Sequence, residues 1–160
     1  MEVAISGIMS RMLRCLAIAL VGVFVISAPA MAAENWPDSL NTYLAKVRKT
    51  VDTTDSKGFL AVLKNPNGAL LLDVREADEY KAGHIPGTVN IPRGVLEYRI
   101  YKQLGYPKTV DTKQKIYVHC ATGGRATLAT KELKDIGFTN VTAVLINVQD
   151  WEKAGNPWEK

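Results

Sequence analysis

Hydrophobic positions after about residue 33 alternate between short apolar runs and stretches with helical spacing. Residues 69–74 and 115–119 form continuous apolar runs that predict strands buried on both faces, and residues 140–146 alternate into a further strand. Shorter strands are predicted near 50–53 and 88–91. The stretches between them carry apolar residues three and four positions apart. Strands that alternate with helices predict an α/β domain, with a parallel sheet covered on both faces.

One helix is predicted upstream of the first strand. Asp38 or Ser39 is expected to cap it, and its apolar face consists of Leu40, Tyr43, Leu44 and Val47. We therefore assign residues 33–49 to an N-terminal helical extension and residues 50–160 to the main domain.

The first 32 residues have the three regions of a secretory signal peptide. Arg11 and Arg14 form a basic start, residues 16–27 carry no charge, and Ala30-Met31-Ala32 provides the small residues of a cleavage site. The alternative is an uncleaved membrane anchor, for which the apolar run is short. Cleavage after Ala32 predicts a periplasmic or secreted protein that has no membrane association once the leader is removed.

Charge and cysteine content limit what the exported part can be. Removing residues 1–32 lowers Lys plus Arg from 20 to 18 and Asp plus Glu from 16 to 15, so the net charge changes from +4 to +3. No basic block is present, which argues against nucleic acid as a partner. Cys120 becomes the single cysteine, so it is either a free thiol or a partner for another chain.

Cys120 follows the apolar run 115–119 and begins a short loop that leads into a helical pattern. The loop residues are Ala121, Thr122, Gly123, Gly124 and Arg125. Backbone N–H groups of such a loop, the helix N-terminus and the Arg125 cation all favour the thiolate, which is the nucleophilic form. We expect Cys120 on a loop at the surface edge of the sheet. The alternative is a buried, unreactive cysteine.

A second polar segment is predicted at the same edge. Asp73 and Arg75 follow the strand at 69–74, and ligands of parallel sheets bind at the carboxyl ends of the strands. We expect both side chains to support the cysteine loop by hydrogen bonds to its backbone, rather than to touch substrate. His84 is expected to serve a turn, and His119 to be a packed strand residue.

These segments resemble the signature of rhodanese-like sulfurtransferase domains. The matching stretches are Leu72–Glu76, Glu79-Tyr80, Gly83–Pro92, the Cys120-x-x-Gly123-x-Arg125 loop and Trp151–Pro157. The resemblance runs from about residue 50 to residue 157. It implies a five-stranded, mainly parallel sheet with helices on both faces, to which the N-terminal helix is an addition.

The resemblance also implies a reaction. Cys120 would accept a sulfane sulfur from a small anionic donor such as thiosulfate, or from a persulfide, and pass it to a thiophilic acceptor. Residues 121–125 would bind substrate, and Arg125 either anchors an anionic donor or pairs with a carboxylate in the first turn of the helix that follows the loop. No cofactor or metal is expected, and a protein partner in a sulfur relay stays open. The alternatives are a non-enzymatic sulfur carrier and an interaction module.

Two details separate this chain from other proteins of similar design. Four residues lie between Cys120 and Arg125, whereas the cysteine phosphatases that resemble this fold have five, so we rank phosphatase activity last. Before the closing Trp151 the family usually carries a Gly-Gly pair, and this chain has Ile146-Asn147. Because a β-branched residue tolerates positive φ poorly, we expect this loop to take another path.

Overall fold

The apolar runs form the centre of a five-stranded sheet in the computed structural model, which describes residues 36–160. The predicted signal peptide lies outside the described residues. The strands are β1 (Asp52–Thr54), β2 (Leu70–Asp73), β3 (Val89–Asn90), β4 (Ile116–His119) and β5 (Val141–Val144). Their order across the sheet is β1-β5-β4-β2-β3, and every neighbouring pair is parallel. The predicted fold class is confirmed.

Six α-helices connect and cover the strands within residues 36–160. They are α1 (Asp38–Arg48), α2 (Ser56–Lys64), α3 (Ala77–Lys81), α4 (Leu96–Gln103), α5 (Gly124–Asp135) and α6 (Val148–Lys153), and a 3₁₀ turn at Arg93–Val95 precedes α4. No helix in this part of the chain is long and apolar enough to cross a bilayer.

Each face of the sheet has its own hydrophobic cluster. On one face, α4 and α5 bury Leu96, Ile100 and Leu133 against the central strands. On the other face, Phe59 of α2 and Trp151 of α6 pack against residues of β2 and β5. Burying a side chain of this size contributes about 1.5–3 kcal/mol, so both layers stabilise the sheet.

Helix α1 packs against α5 and belongs to the same compact unit as the rest of residues 36–160. Leu44 and Val47 are buried, whereas Tyr43, which we expected on the apolar face, is 48% exposed. Because α1 packs mainly against the single helix α5, its buried face is narrower than the apolar face that we predicted from the sequence. The expected cap is also wrong: Pro37 precedes the first turn, and no side chain caps it.

The carboxyl ends of β2 and β4 place the predicted site residues side by side. Asp73 lies opposite His119 in the parallel register, and the Val74 N–H donates to the His119 carbonyl. The chain then leaves β4 into the cysteine loop. The sheet therefore brings the two polar segments of the sequence to one edge.

Candidate active site

Cys120 directly follows β4. We expected it at the surface edge of the sheet, but it is buried. The residue is only 1% accessible and belongs to the cluster formed by β2, β4 and α5, which includes Leu72, Val118 and Ala126. The loop folds over the sulfur because α5 begins only four residues later. The thiol therefore lies beneath its own loop, of which Thr122 is exposed.

Two backbone N–H groups point at the Cys120 sulfur. The Gly123 nitrogen lies 3.2 Å from Sγ and the Ala126 nitrogen 3.3 Å from it. Both belong to the N-terminal end of α5, a helix of twelve residues whose dipole places partial positive charge there. This arrangement stabilises a negative charge on the sulfur. A cysteine packed only among apolar groups would lack these two donors.

Gly123 makes this geometry possible. It precedes α5 with φ of 86° in the left-handed region, and a Cβ there would lie 3.2 Å from Cδ2 and 3.4 Å from Cα of Leu145. Residues other than glycine occupy this region at a cost of about 1–2 kcal/mol. The left-handed turn directs the Gly123 N–H toward the sulfur.

Gly123→Ala is therefore expected to destabilise the fold by about 1–3 kcal/mol, from positive φ and the contact with Leu145. Thermal unfolding measures this loss, which corresponds to a fall in Tm of roughly 4 °C or more. Gly124→Ala is the matched control, because a Cβ at Gly124 meets only Leu44 Cδ1, at 3.6 Å. The two variants should differ clearly in Tm. Equal Tm values would show that the turn does not require glycine.

The other loop residues have separate surroundings. The Ala121 carbonyl accepts from the Val148 N–H at 2.9 Å, which ties the loop to α6. Gly124 is the first residue of α5 and packs near Leu44 of α1. Of the residues 121–125 expected to bind substrate, Gly123 alone contacts the sulfur through its N–H, and Thr122 is the most exposed.

Arg125 forms an ion pair with Glu79 of α3. Its Nη1 lies 2.6 Å from Oε2 and its Nη2 lies 2.8 Å from Oε1, while both side chains are 34% exposed. These hydrogen bonds are the main reason that the pKa of Glu79 is lowered and that of Arg125 is raised. Of the two roles considered for Arg125, carboxylate pairing is the one seen. The partner comes from α3 rather than from the first turn of α5.

We expected Asp73 and Arg75 to form hydrogen bonds with the backbone of the cysteine loop, but their side chains form none with it. Arg75 binds the Asp73 carboxylate through Nε at 2.9 Å and Nη2 at 2.7 Å, and donates to the carbonyls of Glu79 and Gly83. Both residues are buried. Their backbone partners lie at α3 and in the turn after it. The pair therefore fixes the segment that presents Glu79 to Arg125.

His119 lies under this pair as a packed strand residue. It is fully buried, neither ring nitrogen has a hydrogen-bond partner, and Nε2 is 3.6 Å from Asp73 Oδ2. Burial lowers the pKa of His119 to about 4, against an opposing effect of the Asp73 carboxylate. His84 stacks on Tyr80, and its backbone pairs with Glu159 near the C-terminus.

The lowered pKa of His119 predicts how stability depends on pH. The folded state takes up this proton only below about pH 4, whereas the unfolded chain takes it up near 6.5, so the unfolded state holds more protons between these values. The free energy of unfolding should therefore fall as pH drops from 6.5 to 4, by about 3 kcal/mol in full. Above pH 7 this residue should have no effect.

The comparison of wild type with His119→Leu isolates that contribution. Urea unfolding at several pH values between 4.5 and 8 should show a smaller loss for the variant on acidification. Carboxylates such as Glu79 titrate in both proteins and cancel in the difference. Parallel pH curves would contradict the assignment.

The loop after β5 takes a path without positive φ at Ile146 and Asn147. Ile146 is buried in the second cluster, and Asn147 caps α6 by accepting from the N–H groups of Gln149 and Asp150. Helix capping by Asn explains how this chain closes the loop without a glycine pair.

Sequence reasoning missed two residues of the site. Ala126 supplies the second N–H to the sulfur, because α5 begins at Gly124, within the stretch 121–125 that we assigned to the loop. The sequence analysis names Glu79 as part of the family signature but gives it no role in the site. Its place in that signature was the one indication that it matters. Its partner Arg125 lies 46 positions away, and no local pattern connects the two.

Comparisons with known proteins agree with this geometry. A protein-family model described as the rhodanese-like domain matches residues 57–154. YrkF of Bacillus subtilis, which is named as a sulfur carrier protein, is 37% identical over 81 residues, and the match covers 51% of this chain and 40% of YrkF. The chain thus spans less than half of that relative.

For two further proteins, the match covers a larger share of the other protein's length. A thiosulfate:glutathione sulfurtransferase of Saccharomyces cerevisiae is 33% identical over 101 residues, which cover 58% of this chain and 70% of the yeast protein. A solved structure from Rhodopseudomonas palustris, described as a protein of unknown function and a possible tyrosine phosphatase, has a TM-score of 0.65 and 28% identity. It covers 75% of this chain and 93% of its own.

Proposed function

The chain belongs to the rhodanese-like domain family, and from this premise we propose that it is a sulfurtransferase that carries a sulfane sulfur on Cys120. The supporting observation is the pair of N–H groups, from Gly123 and Ala126, directed at the Cys120 sulfur. A thiolate is the form that attacks sulfur, and these donors favour it.

The proposed reaction has two steps. The Cys120 thiolate attacks the outer sulfur of thiosulfate, the S–S bond of the donor breaks, and sulfite leaves with the bonding electron pair. Cys120 now carries a persulfide. An acceptor such as cyanide then attacks the outer sulfur, the bond to Sγ breaks, and thiocyanate leaves while the Cys120 thiolate is restored. The N–H groups that hold the thiolate are also placed to hold the persulfide anion.

Intact mass spectrometry of the purified protein tests this proposal. After incubation with thiosulfate or with an alkyl persulfide, the protein should gain the mass of one sulfur atom, and cyanide should remove it. Absence of a mass gain with both donors would contradict the sulfurtransferase proposal.

A sulfur carrier that serves one protein acceptor is the second candidate. The similarity to YrkF supports it. Both candidates require the Cys120 persulfide. Steady-state turnover with cyanide separates them, since a carrier should load with sulfur but turn over poorly.

Phosphatase activity is a weaker candidate despite the similarity to the R. palustris protein. The loop between Cys120 and Arg125 has four residues, and both terminal nitrogens of Arg125 are held by Glu79 instead of facing a phosphate site. Hydrolysis of p-nitrophenyl phosphate that depends on Cys120 would favour this candidate.

We further propose that the protein works in the periplasm or outside the cell, after cleavage behind Ala32. The basic start, the uncharged run and the small-residue site of the leader support this location. N-terminal sequencing of the exported protein should begin at or next to Ala33, and residues 16–27 retained on membrane-bound protein would contradict it.

A further inference from the structure

The ion pair between Glu79 and Arg125 joins α3 to the first turn of the helix that carries the cysteine loop. The Arg125 guanidinium uses both terminal nitrogens on the Glu79 carboxylate, at 2.6 and 2.8 Å. This two-pronged geometry is also the one in which a guanidinium binds an anionic oxygen group of a ligand. In this structure a carboxylate of the protein already occupies that position.

Glu79 is held in place independently of Arg125. Its Oε2 accepts the Glu76 N–H at 3.0 Å, as part of a capping box at the start of α3. The Arg75 guanidinium donates to the Glu79 carbonyl and fixes the backbone at the same residue. An incoming anion would therefore have to replace a carboxylate that is also held by the Glu76 N–H, on a residue whose backbone is fixed by Arg75.

The charge near Arg125 is consequently not positive overall. Glu79 neutralises the guanidinium directly, and Glu76 adds a second carboxylate whose charge also acts on Arg125. The other arginine of this region, Arg75, is buried and bound to Asp73. A donor with two negative charges gains little attraction from such surroundings.

We infer that Glu79 sets donor preference, by disfavouring the thiosulfate dianion and favouring alkyl persulfides with an uncharged alkyl group, which carry at most one negative charge. The inference rests on the proposed sulfur transfer and names its donor class. For a persulfide RSSH, the Cys120 thiolate attacks the outer sulfur, the S–S bond breaks, and RS⁻ leaves with the electron pair. The outer sulfur, with its proton, stays on Cys120 as the persulfide.

Glu79→Gln tests the inference with little change of shape. Gln also serves at this position of a capping box, so α3 should still form. Without the carboxylate charge, Arg125 becomes available to an anion. We expect the KM for thiosulfate to fall by about fivefold, and the KM for 2-hydroxyethyl persulfide to change by less than about twofold.

Asp78→Asn is the matched control. Asp78 is exposed on the same helix, and its substitution removes the same charge at a position outside the Arg125 ion pair. This variant should leave the ratio of the two KM values as in wild type. An equal change for both donors in Glu79→Gln, no change, or an equal effect of Asp78→Asn would overturn the inference.

A measurement on the wild-type protein keeps the inference testable if Glu79→Gln does not fold. Sulfate should protect Cys120 against iodoacetamide no better than chloride at equal ionic strength. Selective protection by sulfate would show that a dianion binds near Arg125 although Glu79 is paired with it, and would overturn the inference. If neither donor adds sulfur to Cys120, the proposed function itself fails. If both donors add sulfur but Glu79→Gln leaves the ratio of their KM values unchanged, only the inference about Glu79 fails.

Discussion

Cys120→Ser is expected to abolish sulfur loading and to lower the rate of sulfur transfer by about a thousandfold or more. A serine hydroxyl stays protonated near neutral pH and cannot form a persulfide. Its oxygen can still accept from the N–H groups of Gly123 and Ala126, which now point at the sulfur. The fold should therefore persist, with a change in unfolding free energy of about 2 kcal/mol or less.

The measurement is direct because Cys120 is the only cysteine after residue 32. Mass spectrometry of protein without the leader should show one added sulfur in wild type and none in Cys120→Ser. Cys120→Ala serves as the control that also removes the acceptor atom. A sulfur gain that survives in either variant would show that Cys120 is not the carrier.

Arg75→Met is expected to produce the largest loss of stability. The guanidinium binds the fully buried Asp73 carboxylate and two backbone carbonyls, and methionine can replace only its volume. Removing one partner of a buried ion pair costs about 3–5 kcal/mol, because a buried charge is left without compensation. This is a large part of the 5–15 kcal/mol that typically stabilises a domain.

Two comparisons give this prediction its controls. Arg93→Met removes an arginine whose pair with Glu97 is 28% exposed, and it should cost about 1 kcal/mol or less. The double variant Asp73→Asn/Arg75→Met removes both charges and should recover part of the loss. Urea unfolding measures all three variants. An Arg75→Met protein as stable as Arg93→Met would contradict the structural importance of the buried pair.

The sequence predicts the central part of this fold well, for a physical reason. Strands β2 and β4 are covered on both faces, so their residues form continuous apolar runs. Strands β1 and β3 have three and two residues, too few for a clear period, so the pattern locates them only approximately. The start of α1 was misplaced because Pro37, which fixes its own φ, precedes the helix without a side-chain cap.

The candidate site was predictable in position but not in its contacts. A strand, a glycine-containing loop and a helix placed Cys120 at the carboxyl edge of the sheet. Its burial depends on Leu72 and other residues distant in sequence, and such packing leaves no local pattern. The same holds for Arg75, whose carbonyl partners at Glu79 and Gly83 follow from the shape of one turn.

The position of β1 has a consequence for how the chain folds. This edge strand takes its partner from the other end of the domain, since Asp52 is opposite Thr142 and Thr54 is opposite Val144. Contacts so far apart in sequence form slowly, because a long loop must close before they stabilise anything. The amino-terminal strand therefore cannot join the sheet until nearly the whole domain has been synthesised. We expect it to stay unpaired while the rest of the domain is being synthesised.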